Sequence, residues 1–253
     1  MFMKKTGLKQ LMIVSLLAAS GVMVHSCSKT EKPVSGSGTN SVNEKTSILT
    51  SADALDFTGE IHNAGMDAAL ASGNYSNASD NEKYNFFIAF TRGEFVTRSL
   101  PNDGITEIDE ETYLPHLRNT SVADLYDEAY ESLTDNEQTV MDQMESIIEI
   151  TNKETRKSQI TSLKSTVYAS TTLSEDEKIF LLASISIATN SAEYWDSHPG
   201  DVAGLGKGVW KADWQGFWYG YHSSETNQTW GQQIETGLGT AQLASEFKRL
   251  ENS

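Results

Sequence analysis

Leu173 to Ala188 read LSEDEKIFLLASISIA, a helix start signal followed by a run that is apolar or small at every position. The Ser174 hydroxyl is placed to accept from the amide of Glu177, whose carboxylate reaches back to the amide of Ser174: a capping box. Glu175, Asp176 and Glu177 also set negative charge where a helix dipole favours it. A helix over Ile179 to Ala188 has no polar face, so it belongs in the middle of a bundle and is the expected core element.

Working outward, the same punctuation recurs at Ser79-Asp80-Asn81-Glu82 and Thr134-Asp135-Asn136-Glu137. Helical periodicity accompanies it. Phe57, Ile61, Ala64 and Ala68 form one stripe, Tyr84, Phe87, Ile88, Thr91 and Phe95 a second, Val122, Leu125, Tyr126, Ala129 and Leu133 a third. Val140, Met141, Met144, Ile147 and Ile148 give another, and Ile160, Leu163 and Val167 another. No run alternates with period two. The stretch from Leu100 to Pro115 holds Pro101, Asn102-Asp103-Gly104 and an acidic cluster, and reads as a long loop.

Toward the C-terminus Gly204, Gly208, Ala212, Gly216 and Gly220 recur every fourth residue, with Trp210, Trp214 and Trp218 in the same rhythm two positions away. Two positions on a helix are about 200 degrees, so one face is nearly bare backbone and the other carries three indoles. Glycine costs a helix roughly 1 kcal/mol against alanine, so Gly204, Gly208, Gly216 and Gly220 argue for close approach by a second helix, the segment of Gly237, Ala241 and Ser245. Lys207, Lys211, Asp213 and Gln215 interrupt the run and disfavour a membrane zipper. The three tryptophans are either core, the default for large aromatics, or an exposed aromatic strip for a glycan, a lipid surface or a protein partner.

The expected fold is all-α: an irregular bundle of about 5–7 helices over residues 52–198, with a Gly/Trp-rich helical hairpin over 199–253 packed on the same domain. Residues 27–51, mostly Ser, Thr, Gly, Asn and Lys, cannot bury enough surface to fold and read as a flexible tether. Residues 1–26 read as a lipoprotein signal peptide: Lys4 and Lys5 precede an apolar run from Leu11 to Val24 that stops at His25-Ser26-Cys27. That run is shorter than the ~20 residues that span a bilayer. Val24-His25-Ser26-Cys27 looks like a lipobox, which assigns Cys27 as the lipidated residue, with palmitate among its acyl chains. The expected location is the cell envelope, on the outer membrane at its periplasmic face or at the cell surface.

Cys27 is the single cysteine, so no intramolecular disulfide holds the fold. Removing Lys4, Lys5 and Lys9 with the signal moves the formal charge from −16 to −19. Such a field repels nucleic acid and anionic headgroups, so no nucleic-acid partner is expected and attachment to the membrane falls to the N-terminal lipid.

The folded part opens with Asp56-Phe57-Thr58-Gly59-Glu60-Ile61-His62-Asn63-Ala64-Gly65-Met66-Asp67. Its Gly-x-x-His-Asn pattern, directly after a lipoprotein signal and a Ser/Gly tether, resembles a group of lipoproteins of the Bacteroidota that also carry a glycine-rich C-terminal region. The resemblance implies compartment and architecture but no chemistry, because the group has no established activity. On a helix, Asn63 and Asp67 share a face. His62, Asn63 and Asp67 are therefore a candidate polar site, against the simpler reading of a buried His-Asn pair that hydrogen-bonds a neighbouring element.

Catalytic templates are missing. The sequence has no Gly-x-Ser-x-Gly elbow and no Walker loop. Its other histidines never take ligand spacing, so no catalytic residue, metal or cofactor is assigned. The function expected is a non-catalytic binding or structural module with a protein or glycan partner. Two other classes stay open: a membrane-active, toxin-like protein using the glycine-zipper hairpin, and a hydrolase built around His62, which requires an open cleft there.

Overall fold

The computed structural model describes residues 48–72, 75–101, 110–198, 209–222 and 228–250. The signal, Cys27, nearly all of the tether, Gly204 and Gly208 lie outside the described residues. The fold is all-α. Among the described residues there are nine helices and no strand: α1 (Phe57–Ala71), α2 (Asp80–Thr97), α3 (Glu110–Asn119), α4 (Val122–Tyr130), α5 (Asp135–Ile148), α6 (Lys153–Ala169), α7 (Glu175–Ser197), α8 (Val209–His222) and α9 (Trp230–Leu250), with a 3₁₀ turn at Tyr75–Asn77.

The nine stand slightly above five to seven when the C-terminal pair is counted in: seven lie between Phe57 and Ser197 and two form the pair, and α3 is the one that no stripe announced. The loop expected from Leu100 to Pro115 is in part helix: α3 begins at Glu110 and contains Pro115. A proline inside a helix removes one backbone bond, and burial of Leu114 and Leu117 at 2% and 0% exposure holds α3 in place despite that loss. All three capping boxes form, at Ser79–Glu82, Thr134–Glu137 and Ser174–Glu177. A fourth reciprocal pair opens α9, where the Thr229 amide donates to Gln232 Oε1 at 2.9 Å and the Gln232 amide donates to Thr229 Oγ1 at 3.4 Å.

Helix α7 is buried from Ile179 through Ala188, as a helix without a polar face requires. It shares the centre with α9, which is buried from Ile234 through Lys248 and packs against α1, α2, α3, α7 and α8. Periodicity hid this second core helix, because its sequence is rich in polar residues. Several of these are buried with a partner from elsewhere in the fold. Gln242 donates from Nε2 to the Ile61 carbonyl at 2.9 Å, Glu235 accepts from Arg92 at 3.1 Å, and Lys248 donates to the Thr120 carbonyl at 2.6 Å. Buried polar groups that are so bonded cost little, whereas the same groups unpaired would be expensive.

Helices α8 and α9 form the most extensive helix pair. A β-carbon added at Gly216 would lie 2.6 Å from the Thr240 carbonyl oxygen and 2.9 Å from the Ala241 Cα, and one at Gly220 would lie 2.7 Å from the Thr236 carbonyl oxygen and 2.8 Å from the Gly237 Cα. The glycine face of α8 therefore lies against the backbone of α9. Thr240 Oγ1 donates across this contact to the Gly216 carbonyl at 2.7 Å.

The indole face of α8 is covered too. Trp210 and Trp214 are 2% and 0% exposed, and both pack on Tyr126 of α4. Trp218 is half-buried and packs on the same core. Trp210 and Trp214 are therefore core against α4 and present no aromatic surface, so of the strip entertained for Trp210, Trp214 and Trp218 only Trp218 stays partly exposed. No described helix is long and apolar enough to cross a membrane.

Candidate functional site

The three residues of the N-terminal motif sit at the meeting of α1 with α7 and α8. Gly59 permits the close approach, since a β-carbon there would lie 2.5 Å from the Ser186 carbonyl oxygen. Its amide donates to Ser186 Oγ at 3.2 Å. Asn63 donates from Nδ2 to the Asn190 carbonyl at 3.0 Å, and its Oδ1 stands 3.1 Å from His62 Nδ1. Asp67, which is exposed, accepts from the Tyr194 hydroxyl at 2.8 Å. His62, Asn63 and Asp67 therefore face three different partners and do not converge on one point.

His62 instead belongs to a constellation invisible at the level of motifs. Its Nε2 stands 3.6 Å from Oδ2 of Asp213 on α8, with both side chains fully buried. The same carboxylate accepts from the hydroxyls of Ser191 on α7 and Ser245 on α9. Burial by itself lowers the His62 pKa, but the facing Asp213 carboxylate and the contact with Asn63 outweigh it, and the net direction is upward from 6.5.

A serine, a histidine and an aspartate close together invite comparison with a hydrolase. The order is wrong for one. In nucleophilic catalysis the histidine stands between the hydroxyl and the carboxylate, taking a proton from the first and being oriented by the second. Here both hydroxyls bond the carboxylate directly, and His62, Ser191, Asp213 and Ser245 are all 0% exposed. Among the described residues His62 is fully buried, whereas a hydrolase around it would require an open cleft. The arrangement holds a buried charge: four helices are pinned to one carboxylate, whose removal would leave an imidazole and two hydroxyls unpaired.

A cavity of about 420 Å³ lies elsewhere, where the C-terminus of α5, the turn into α6, the first turn of α6, α7 and α8 meet. Its described lining comprises Ile148, Glu149, Ile150, Thr151, Lys153, Arg156, Ala192, Asp196 and Trp210. Arg156 is its distinctive member. The side chain is 7% exposed, with Nη1 3.4 Å from the Ile148 carbonyl and 3.8 Å from Asp196 Oδ2. Its buried Nη2 has no hydrogen-bond partner among the described residues.

Sequence reasoning did not single out Arg156, Asp213, Ser191 or Ser245. A faint signal existed for Asp213, an acid set between Ala212 and Trp214 in the most apolar part of α8. None existed for Arg156, which lies among Lys153, Glu154 and Lys157 in what reads as an ordinary solvated turn. Among the described residues no cluster of three or more His, Cys, Asp or Glu could hold a metal ion. No protein-family model matches the chain, and comparisons with curated proteins and with solved structures return no match.

Proposed function

We propose that the protein is a lipid-anchored module of the cell envelope that binds a small ligand without transforming it. The observation that carries the reading is the cavity beside Arg156, lined by both charged and apolar side chains and of the size that small-molecule sites take, roughly 300 to 1,000 Å³. The closed His62–Asp213 constellation supports a non-catalytic role, because its reactive groups are consumed in holding helices together. Lys4, Lys5, the apolar run to Val24 and Cys27 support the anchor, as does the resemblance to Bacteroidota lipoproteins at Gly59, His62 and Asn63.

Two measurements test the two halves of this reading. Cys27→Ser should abolish palmitate labelling and detergent-phase partitioning while leaving export intact, since acyl attachment requires the thiol and stable anchoring takes more than one chain. Equal labelling of both proteins removes the anchor. A thermal-shift survey of small organic molecules should find compounds that raise the unfolding midpoint, because a ligand of the native state stabilises it by mass action. Enlarging Ala192 to Phe should cancel those shifts; shifts that survive it place binding outside the cavity.

A further inference from the structure

Arg156 sets a condition on whatever enters the cavity. A guanidinium keeps its charge at every ordinary pH and carries five donors in a planar fork. Its nearest carboxylate in the cavity lining, Asp196, stands 3.8 Å away, beyond hydrogen-bond distance, and is 46% exposed. The buried Nη2 has no hydrogen-bond partner among the described residues. The Arg156 side chain lines the cavity, and a cation held this deep favours an anion beside it. The N-terminus of α6 adds to this preference, since Lys153 and Arg156 stand in its first turn beside the positive end of the helix dipole.

The rest of the lining restricts the anion. Glu149 and Asp196 face the same space and oppose a second negative charge, so a dianionic phosphate is disfavoured where a single carboxylate is not. Ile148, Ile150, Ala192 and the buried Trp210 offer apolar surface away from the guanidinium, which suits a hydrocarbon or aromatic body. Resting on the binding reading above, we infer that the cavity takes a small monocarboxylate with an apolar body, its carboxylate accepting from Arg156.

Isothermal titration of the full chain with hexanoate and with hexanamide tests this, because the two differ in charge and hardly at all in shape. Hexanoate should bind about tenfold or more tighter than hexanamide, the ratio a charge-assisted bond adds over a neutral one. Inorganic phosphate should not bind. Arg156→Gln should bring the two organic probes level. The wild-type comparison is decisive even if that variant fails to fold. Equal affinity for hexanoate and hexanamide overturns the inference while leaving an apolar binding cavity in place, and so does tighter binding of phosphate. Absence of heat from hexanoate also overturns it, and the thermal-shift survey then judges the binding reading by itself.

Discussion

At Asp213 a single carboxylate joins α1, α7, α8 and α9, through His62, Ser191 and Ser245. The pair with His62 makes stability depend on pH, and His222 supplies a counterexample within the same fold. The His62 pKa is raised in the folded protein, so its contribution is fully present below about 6.5 and is lost as pH rises through the folded value. The His222 pKa is lowered by burial, only partly opposed by Glu137, so its contribution is present above about 6.5 and is lost as pH falls. Unfolding midpoints should separate the two. The advantage of wild type over His62→Gln should shrink as pH rises above about 6.5, and that over His222→Gln should shrink on acidification. Parallel profiles for the two variants would contradict the pairing of His62 with Asp213. At this scale the sequence was half legible. His62 and Asn63 could be picked out because they stand together beside a glycine, but Asp213, Ser191 and Ser245 are far apart in the chain and meet only through tertiary packing.

Among the elements, α8 and α9 show how one residue type acts in opposite ways. Gly216 faces the α9 backbone at close range, so Gly216→Leu should lower stability by about 1 to 3 kcal/mol through overpacking. Gly93, exposed on α2, would meet nothing within 4 Å, so Gly93→Ala should raise stability by roughly 0.5 to 1 kcal/mol through helix propensity alone. Thermal or urea unfolding of both variants checks the opposite signs, and a stabilised Gly216→Leu protein would mean that the α8–α9 contact is wrong. Helices were the most legible level. Their starts are written in local chemistry, a hydroxyl and a glutamate three residues apart, and the glycine rhythm at Gly216 and Gly220 marks a close contact. Helix α3 was missed because Pro115 is a local signal for a loop, while the burial of Leu114 and Leu117 that overrides it is a property of the whole fold. The central place of α9 was missed for a related reason: Glu235, Gln242, Glu246 and Lys248 look like a solvated face until their partners are known.

Across the whole molecule, both core clusters draw on α1, α2, α7, α8 and α9, so the described helices share a common interior. The contact between Gln242 and the Ile61 carbonyl spans 181 positions of sequence. Removing residues 230–253 should therefore do more than trim an end. It would bare the glycine face of α8 and the surfaces of α1 and α2 that α9 covers, and the remainder should bind a hydrophobic dye and lose a cooperative unfolding transition. A truncated chain that melts sharply without binding dye would show that the other helices suffice. The position of α9 also bears on the order in which the protein is made. A ribosome emits α1 first and α9 last, yet α9 covers part of α1 and of α2, so the growing chain completes its core only when synthesis is nearly finished. Topologies dominated by such distant contacts fold slowly, so the last helix to be made sets when the interior closes.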